Sequence, residues 1–120
     1  MARPAPESLL PLSAAVLHIL LVLAEGERHG YAIAQEVESL TRGRIRMGPG
    51  TLYGSMQRMT AAGLVERTVR RQRGGEDDER RRYYRMTTHG RRVLGLELAR
   101  LGEVVAIARR RRLLRAPEPA

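Results

Sequence analysis

The stretch GPGTLYGSMQRMTAAGLVER, residues 48–67, decides the fold. Gly48-Pro49 suits a helix start, because proline's fixed φ is preorganised for the first helical position and its missing N–H is not needed there. Leu52, Met56 and Met59 then recur at i, i+4 and i+7, which lines one face of a 3.6-residue helix. Gly63 follows as a C-cap, so the spacing predicts a helix over 49–62. The opposite side carries Gly50, Thr51, Tyr53, Gly54, Gln57, Arg58 and Ala61, with no acid among them. A DNA major groove accepts such a face: small residues permit close approach, while Gln and Arg pair bidentately with adenine and guanine edges. The positive helix N-terminus also favours phosphate. Tyr53 sits about 100° from Leu52 on the wheel. It can bury its ring at the core edge and still offer its hydroxyl to a phosphate. Tyr53 therefore takes a positioning role, and Thr51, Gln57 and Arg58 a reading role.

The flanking segments give this helix a context. Upstream, Ile33, Val37 and Leu40 form an apolar stripe on a helix predicted from near His29 and Gly30 to about Leu40, and Arg42-Gly43 ends it. Ile45 and Met47 alternate with Arg44 and Arg46, as in a short strand. A still earlier apolar run, LSAAVLHILLVLA at 12–24, reads as a largely buried first helix entered at Pro11 and closed by Gly26. It is too short to span a bilayer, and as a signal peptide it would have a weak basic start, only Arg3, and no small-residue cleavage site. Downstream, 64–72 and 80–87 are rich in Val, Thr and Tyr and flank RGGEDDE, so they predict a β-hairpin, or wing. Thr87 or Thr88 then caps a helix running to about Leu114. In it Leu94, Leu98, Leu101, Val105 and Ala108 are spaced 4, 3, 4, 3, the pattern of a dimerisation seam. The expected organisation is a flexible arm at 1–10, a winged helix-turn-helix domain at 11–87, a dimerisation helix at 88–114 and a frayed tail at 115–120. The fold class is mainly α with a small β-hairpin.

Composition agrees with an anionic partner. The chain has 120 residues and a formal net charge of +9, and all 22 of its basic residues are Arg. That charge on one small domain points first to nucleic acid and second to a membrane surface. Codon bias explains the absence of Lys, but not the excess of positive charge. A hydrophobic share of 42% excludes global disorder. With no Cys and three separated His (His18, His29, His89), no metal site or cofactor is expected. Ser8, Ser13, Ser39 and Ser55 lack a Ser-His-Asp context, and the only two Asp are adjacent in the wing, so no enzyme constellation is visible. The wing holds Arg70, Arg71 and Arg73 on one arm and Arg80, Arg81 and Arg82 on the other. Strand alternation prevents all six from facing one partner, and the Glu76–Glu79 run between them repels phosphate.

Three blocks, HGYAIAQEV (29–37), GPGTLYGSMQRMTAAGLVER (48–67) and RRYYRMTTHGRRVL (81–94), together resemble the PadR family of transcriptional regulators. The resemblance implies a homodimeric, usually repressing, cytoplasmic bacterial transcription factor that binds double-stranded DNA. It points to the short subclass with one C-terminal helix. It implies that the helix at 49–62 enters the major groove of each half-site, with Tyr53 on the phosphate backbone and Tyr31 near the DNA. By position it assigns wing contacts to Arg80 and Arg81. The acidic EDDE run departs from the family pattern. Some relatives stack planar drugs on an aromatic residue between dimer helices. This chain has no Phe or Trp and no aromatic residue in 85–120, which disfavours such a pocket and leaves any small-molecule effector unassigned. Two rival classes remain open at this stage, a protein-interaction winged helix and a nonspecific basic nucleic-acid binder.

Overall fold

The helix starts follow from local chemistry. The computed structural model describes residues 5–68 and 82–115. Ser13 caps α1 (Ala14–Leu23) by accepting a hydrogen bond from the Val16 N–H. The imidazole of His29 does the same for α2 (Gly30–Leu40), accepting from the Ala32 N–H. Pro49 opens α3 (Pro49–Ala61) without a side-chain cap. Thr87 caps α4 (Thr88–Arg110) by accepting from the Gly90 N–H. At the end of α3, Gly63 adopts φ +78°, and the Leu64 N–H reaches back to the Met59 carbonyl. This is a glycine-dependent helix stop.

Among the described residues three short strands join the helices: β1 (Arg28–His29), β2 (Val65–Thr68) and β3 (Tyr83–Met86). They form an antiparallel sheet in the order β1-β3-β2. The register pairs Val65 with Met86 and Arg67 with Tyr84 on one face, and Glu66 with Arg85 and Thr68 with Tyr83 on the other. The core lies between α1, α2, α3, the start of α4 and one sheet face. Ile19, Leu20, Ile33, Val37, Leu52, Met56, Met59, Val65, Tyr84 and Val93 are among the buried residues that meet there. The architecture is a winged helix-turn-helix, mainly helical, with a long C-terminal helix.

Five local expectations are corrected. Residues 45–47 form no strand: the Ile45 N–H donates to the Thr41 hydroxyl, which folds the segment onto the end of α2. The alternation there reports burial of Ile45 and Met47, not pairing. The strand that joins the hairpin is instead β1, and the Gly30 N–H extends its ladder to the Arg82 carbonyl. Leu40 is 60% exposed, because the last turn of α2 runs past the core. The arm is structured from Ala5 on, with a 3-10 turn at Pro6–Leu9 lying against α4. Finally, α4 ends at Arg110, with Arg112 at φ +59° beyond it, short of Leu114.

Candidate nucleic-acid interface

α3 divides sharply between two environments. Leu52, Met56 and Met59 are buried, and so is Ser55, whose hydroxyl accepts from the Arg58 guanidinium at 3.3 Å. Thr51, Tyr53, Gln57, Arg58, Thr60 and Ala61 are exposed, with Gly50 at the start of the same side. No carboxylate lies on α3.

Tyr53 is 39% exposed, and its ring lies across the first residue of α2. A Cβ on Gly30 would come within 3.0 Å of the Tyr53 ring and hydroxyl. Tyr31, 66% exposed, stands on the same first turn of α2, with its ring stacked on His29 at 6.5 Å between centroids. His29 also meets Tyr83 edge-on at 5.8 Å. Two tyrosines thus flank a helix N-terminus, where the helix dipole favours an anion, although the Gly30 and Ala32 N–H groups are taken by the Arg82 carbonyl and the His29 imidazole.

Arg58 occupies the opposite margin of the helix from Tyr53. Its side chain folds back over Gly54, whose added Cβ would stand 3.4 Å from a guanidinium nitrogen. It also borders a small apolar depression formed with Leu9, Leu12 and Val16. Gln57 and Gly54 lie toward the middle of the exposed face, and Thr51 lies on Arg58's side by helical spacing.

Between α3 and the sheet runs an open groove of about 680 Å³. Gly50, Tyr53, Gly54, Gln57, Thr60 and Ala61 form one wall, and Arg67, Arg82 and Tyr84 form the other. No acid lines it. Sequence reading did not single out Arg67, and it placed Arg82 only among six wing arginines. Strand parity carried the signal: Arg67 is two residues beyond buried Val65, Arg82 is two before buried Tyr84, and so both share the α3-facing side. The same parity turns Glu66 away, where it pairs with Arg85. Arg80, Arg81 and the acidic run 76–79 lie outside the described residues.

Of the expected seam on α4, Leu94 belongs to the domain's own core and is 5% exposed. Leu98 is 42% exposed, Leu101, Val105 and Ala108 are half-buried, and Val104 and Ile107 add further exposed apolar surface. Glu97, 1% exposed on this helix, was not anticipated. Its carboxylate pairs with Arg100 and accepts from the Leu12 N–H at 2.6 Å. These contacts, the Arg100 hydrogen bond first, hold its pKa below the ordinary value despite the opposing effect of burial. Among the described residues no group of His, Cys, Asp or Glu is placed to hold a metal ion, and no helix is long and apolar enough to cross a membrane.

The fold is that of a winged helix-turn-helix protein. The sequence model of the PadR-like family of transcriptional regulators matches residues 19–96, and the chain belongs to that family. It is therefore a transcriptional regulator of a DNA-binding family, not an enzyme. Among solved structures, a PadR family regulator from Clostridium difficile superimposes with a TM-score of 0.69 at 22% identity, covering 82% of this chain and 97% of that one. RosR of H. salinarum gives a TM-score of 0.60 at 28% identity, over 82% and 78% of the two chains. The complex structure of hsRosR-S4 gives 0.67 at 31% identity, over 91% and 88%. A curated relative, an uncharacterised 37.1 kDa protein in transposon TN4556 of Streptomyces fradiae, is 45% identical over 47 residues. That match spans 39% of this chain and 13% of the relative's length.

Proposed function

We propose that the chain is a homodimeric, sequence-specific repressor that acts in the bacterial cytoplasm at an inverted-repeat operator. The observation that carries this reading is the groove between α3 and the sheet, whose described lining holds no acid. It provides a hydrogen-bonding helix face for bases and two guanidinium groups for the adjoining backbone. In the proposed complex α3 lies in the major groove, with Gln57, Thr51 and Arg58 toward base edges and Gly54 permitting close approach. The hydroxyls of Tyr53 and Tyr31 and the start of α2 hold a phosphate. Arg67 and Arg82 follow the next stretch of backbone, continued by the wing arginines Arg80 and Arg81.

Two copies pair about a two-fold axis through the apolar strip of α4 from Leu98 to Ala108. That pairing presents two α3 helices to half-sites about one helical turn apart. Occupancy of a promoter then blocks transcription. The test is binding to the duplex upstream of the chain's own coding region, read by fluorescence anisotropy at controlled salt. Tyr53→Ala and Arg58→Ala each weaken binding under this proposal, and Arg58→Ala also relaxes sequence preference. Unchanged affinity in both variants refutes the assignment.

A further inference from the structure

The connector between α2 and α3 carries a cationic pocket that the DNA reading does not use. His18 of α1 and Leu40, Thr41, Arg42, Arg44 and Ile45 of the connector line a depression of about 360 Å³, within the range of small-ligand sites. Leu40 is exposed and Ile45 half-buried, so the lining offers aliphatic surface beside charge. Its two guanidinium groups make no ion pair among the described residues, where the carboxylates on α2 are taken by Arg28 and Arg46. His18 commits Nδ1 to the Ala14 carbonyl at 2.7 Å, which leaves Nε2 for another partner.

The connector is braced before any ligand arrives. The Thr41 hydroxyl donates to the Val37 carbonyl and accepts from the Ile45 N–H. The Arg44 N–H closes on the Thr41 carbonyl at 3.0 Å, and the Gly43 N–H reaches the Glu38 carbonyl at 2.8 Å. Arg42 sits at φ +53° in the position that ends α2, where glycine is favoured and a side chain is strained. The sequence thus keeps a long cationic side chain at a strained position, with a glycine standing one residue later.

We propose that this pocket binds a small organic anion: a carboxylate on a short apolar stem, with the carboxylate between Arg42 and Arg44 and the stem on Leu40 and Ile45. Guanidinium groups match carboxylate geometry through paired N–H donors, and the aliphatic floor distinguishes such a ligand from a bare inorganic anion. The site stands independently of the DNA assignment. It also lies on the segment that leads into α3, so an occupant bears directly on how that helix is held.

The test is NMR titration of the full-length protein with hexanoate, observing the Ile45 and Leu40 methyls and the Arg42 and Arg44 Nε–H signals. Hexanamide and inorganic phosphate serve as the stem-only and charge-only probes. Saturable millimolar shifts at those four residues are expected with hexanoate, with either control about tenfold weaker or more. The double variant Arg42→Ala/Arg44→Ala should lose the response by about the same factor while keeping the parent methyl spectrum and DNA affinity. The proposal is overturned if hexanoate gives no saturable shift. It is equally overturned if either control binds as well, or if the shifts fall on α4 instead. A double variant that loses DNA affinity with a shallower salt dependence would reassign the two arginines to phosphate and likewise overturn it.

Discussion

Neutralising Arg67 and Arg82 tests the groove most directly, because the two residues share one wall and leave α3 untouched. Both are exposed, and Gln at either position keeps the aliphatic stem while removing the charge. In the proposed dimer the double variant Arg67→Gln/Arg82→Gln deletes up to four phosphate contacts. Each contact on duplex DNA contributes about 0.9 to the slope of log K against log salt. The slope should therefore become shallower by up to roughly 3.6. Extrapolating from 1 M, where counterion release no longer drives binding, each contact is worth roughly fivefold at about 0.15 M salt. Four contacts then amount to nearly a thousandfold, or about 4 kcal/mol, spread evenly over operator and random duplex. Anisotropy titrations from low to moderate salt, on both duplexes, measure slope and specificity together. An unchanged slope would show that these arginines do not face the backbone. A loss confined to the operator would make them base readers. Either result refutes the phosphate-wall assignment.

Four further outcomes follow from the geometry. Gln57→Ala should cost about tenfold in discrimination at one base pair per half-site with no change in salt slope, measured on a panel of operator variants. Leu101→Asp should shift the dimer–monomer equilibrium by roughly a hundredfold or more in sedimentation experiments, since it places a charge on the apolar strip of α4. Gly90→Ala should lower stability by ~3 kcal/mol and Tm by about 10 °C, because the new Cβ would meet the Leu64 carbonyl oxygen at 2.1 Å. For Glu97, the folded pKa lies below the ordinary 4.5. Its contribution to stability is therefore present above that value and fades as pH falls through the lowered folded pKa. In denaturant titrations, Glu97→Gln should flatten the stability–pH profile in that acid range, and a profile identical to that of the parent would remove Glu97 from the account.

α3 was legible because a periodic and a terminal signal coincided there: an inner Leu52-Met56-Met59 stripe, and proline and glycine at its two ends. Thr87 was legible as a cap for the same local reason. What escaped was non-local. β1 is two residues, Arg28 and His29, with no β-rich run to announce it. It exists because β3 offers an edge and the Gly30 N–H continues the ladder. Ile45 and Met47 alternate like a strand because burial alone alternates there, and hydrogen bonding to Thr41 decides the backbone. Leu94 fits the heptad spacing as well as Leu98 does, and spacing cannot tell a residue facing its own domain from one facing a partner. Arg67 and Arg82 were recoverable in principle by counting two residues outward from Val65 and Tyr84. That count needs the strand register, which the sequence between the two strands does not specify.

The joint between α3 and α4 couples the proposed dimer contact on one helix to the placement of the other. The stop of α3 at Gly63 is tied to the start of α4 twice. The Thr87 hydroxyl donates to the Gly63 carbonyl, and the Thr87 N–H donates to the Leu64 carbonyl at 3.1 Å. Gly90 lets the first turn of α4 lie directly on the Leu64 backbone, with no room for a Cβ between them. Near its middle, α4 is held to the segment before α1 through Glu97 and the Leu12 N–H. These contacts involve backbone groups and buried side chains, which resist small sliding displacements more than surface pairs do. In the proposed dimer, a change in the crossing of the two α4 helices therefore passes to α3 as a rigid rotation, not as a local adjustment at the contact. Half-site spacing then becomes the property most sensitive to the α4 interface. A conservative repacking such as Leu101→Ile should shift the preferred spacer between half-sites while leaving the half-site sequence preference intact. Selection of bound duplexes from a library of varied spacers separates the two. A variant that keeps the parent spacer but changes its preferred half-site would contradict the rigid joint.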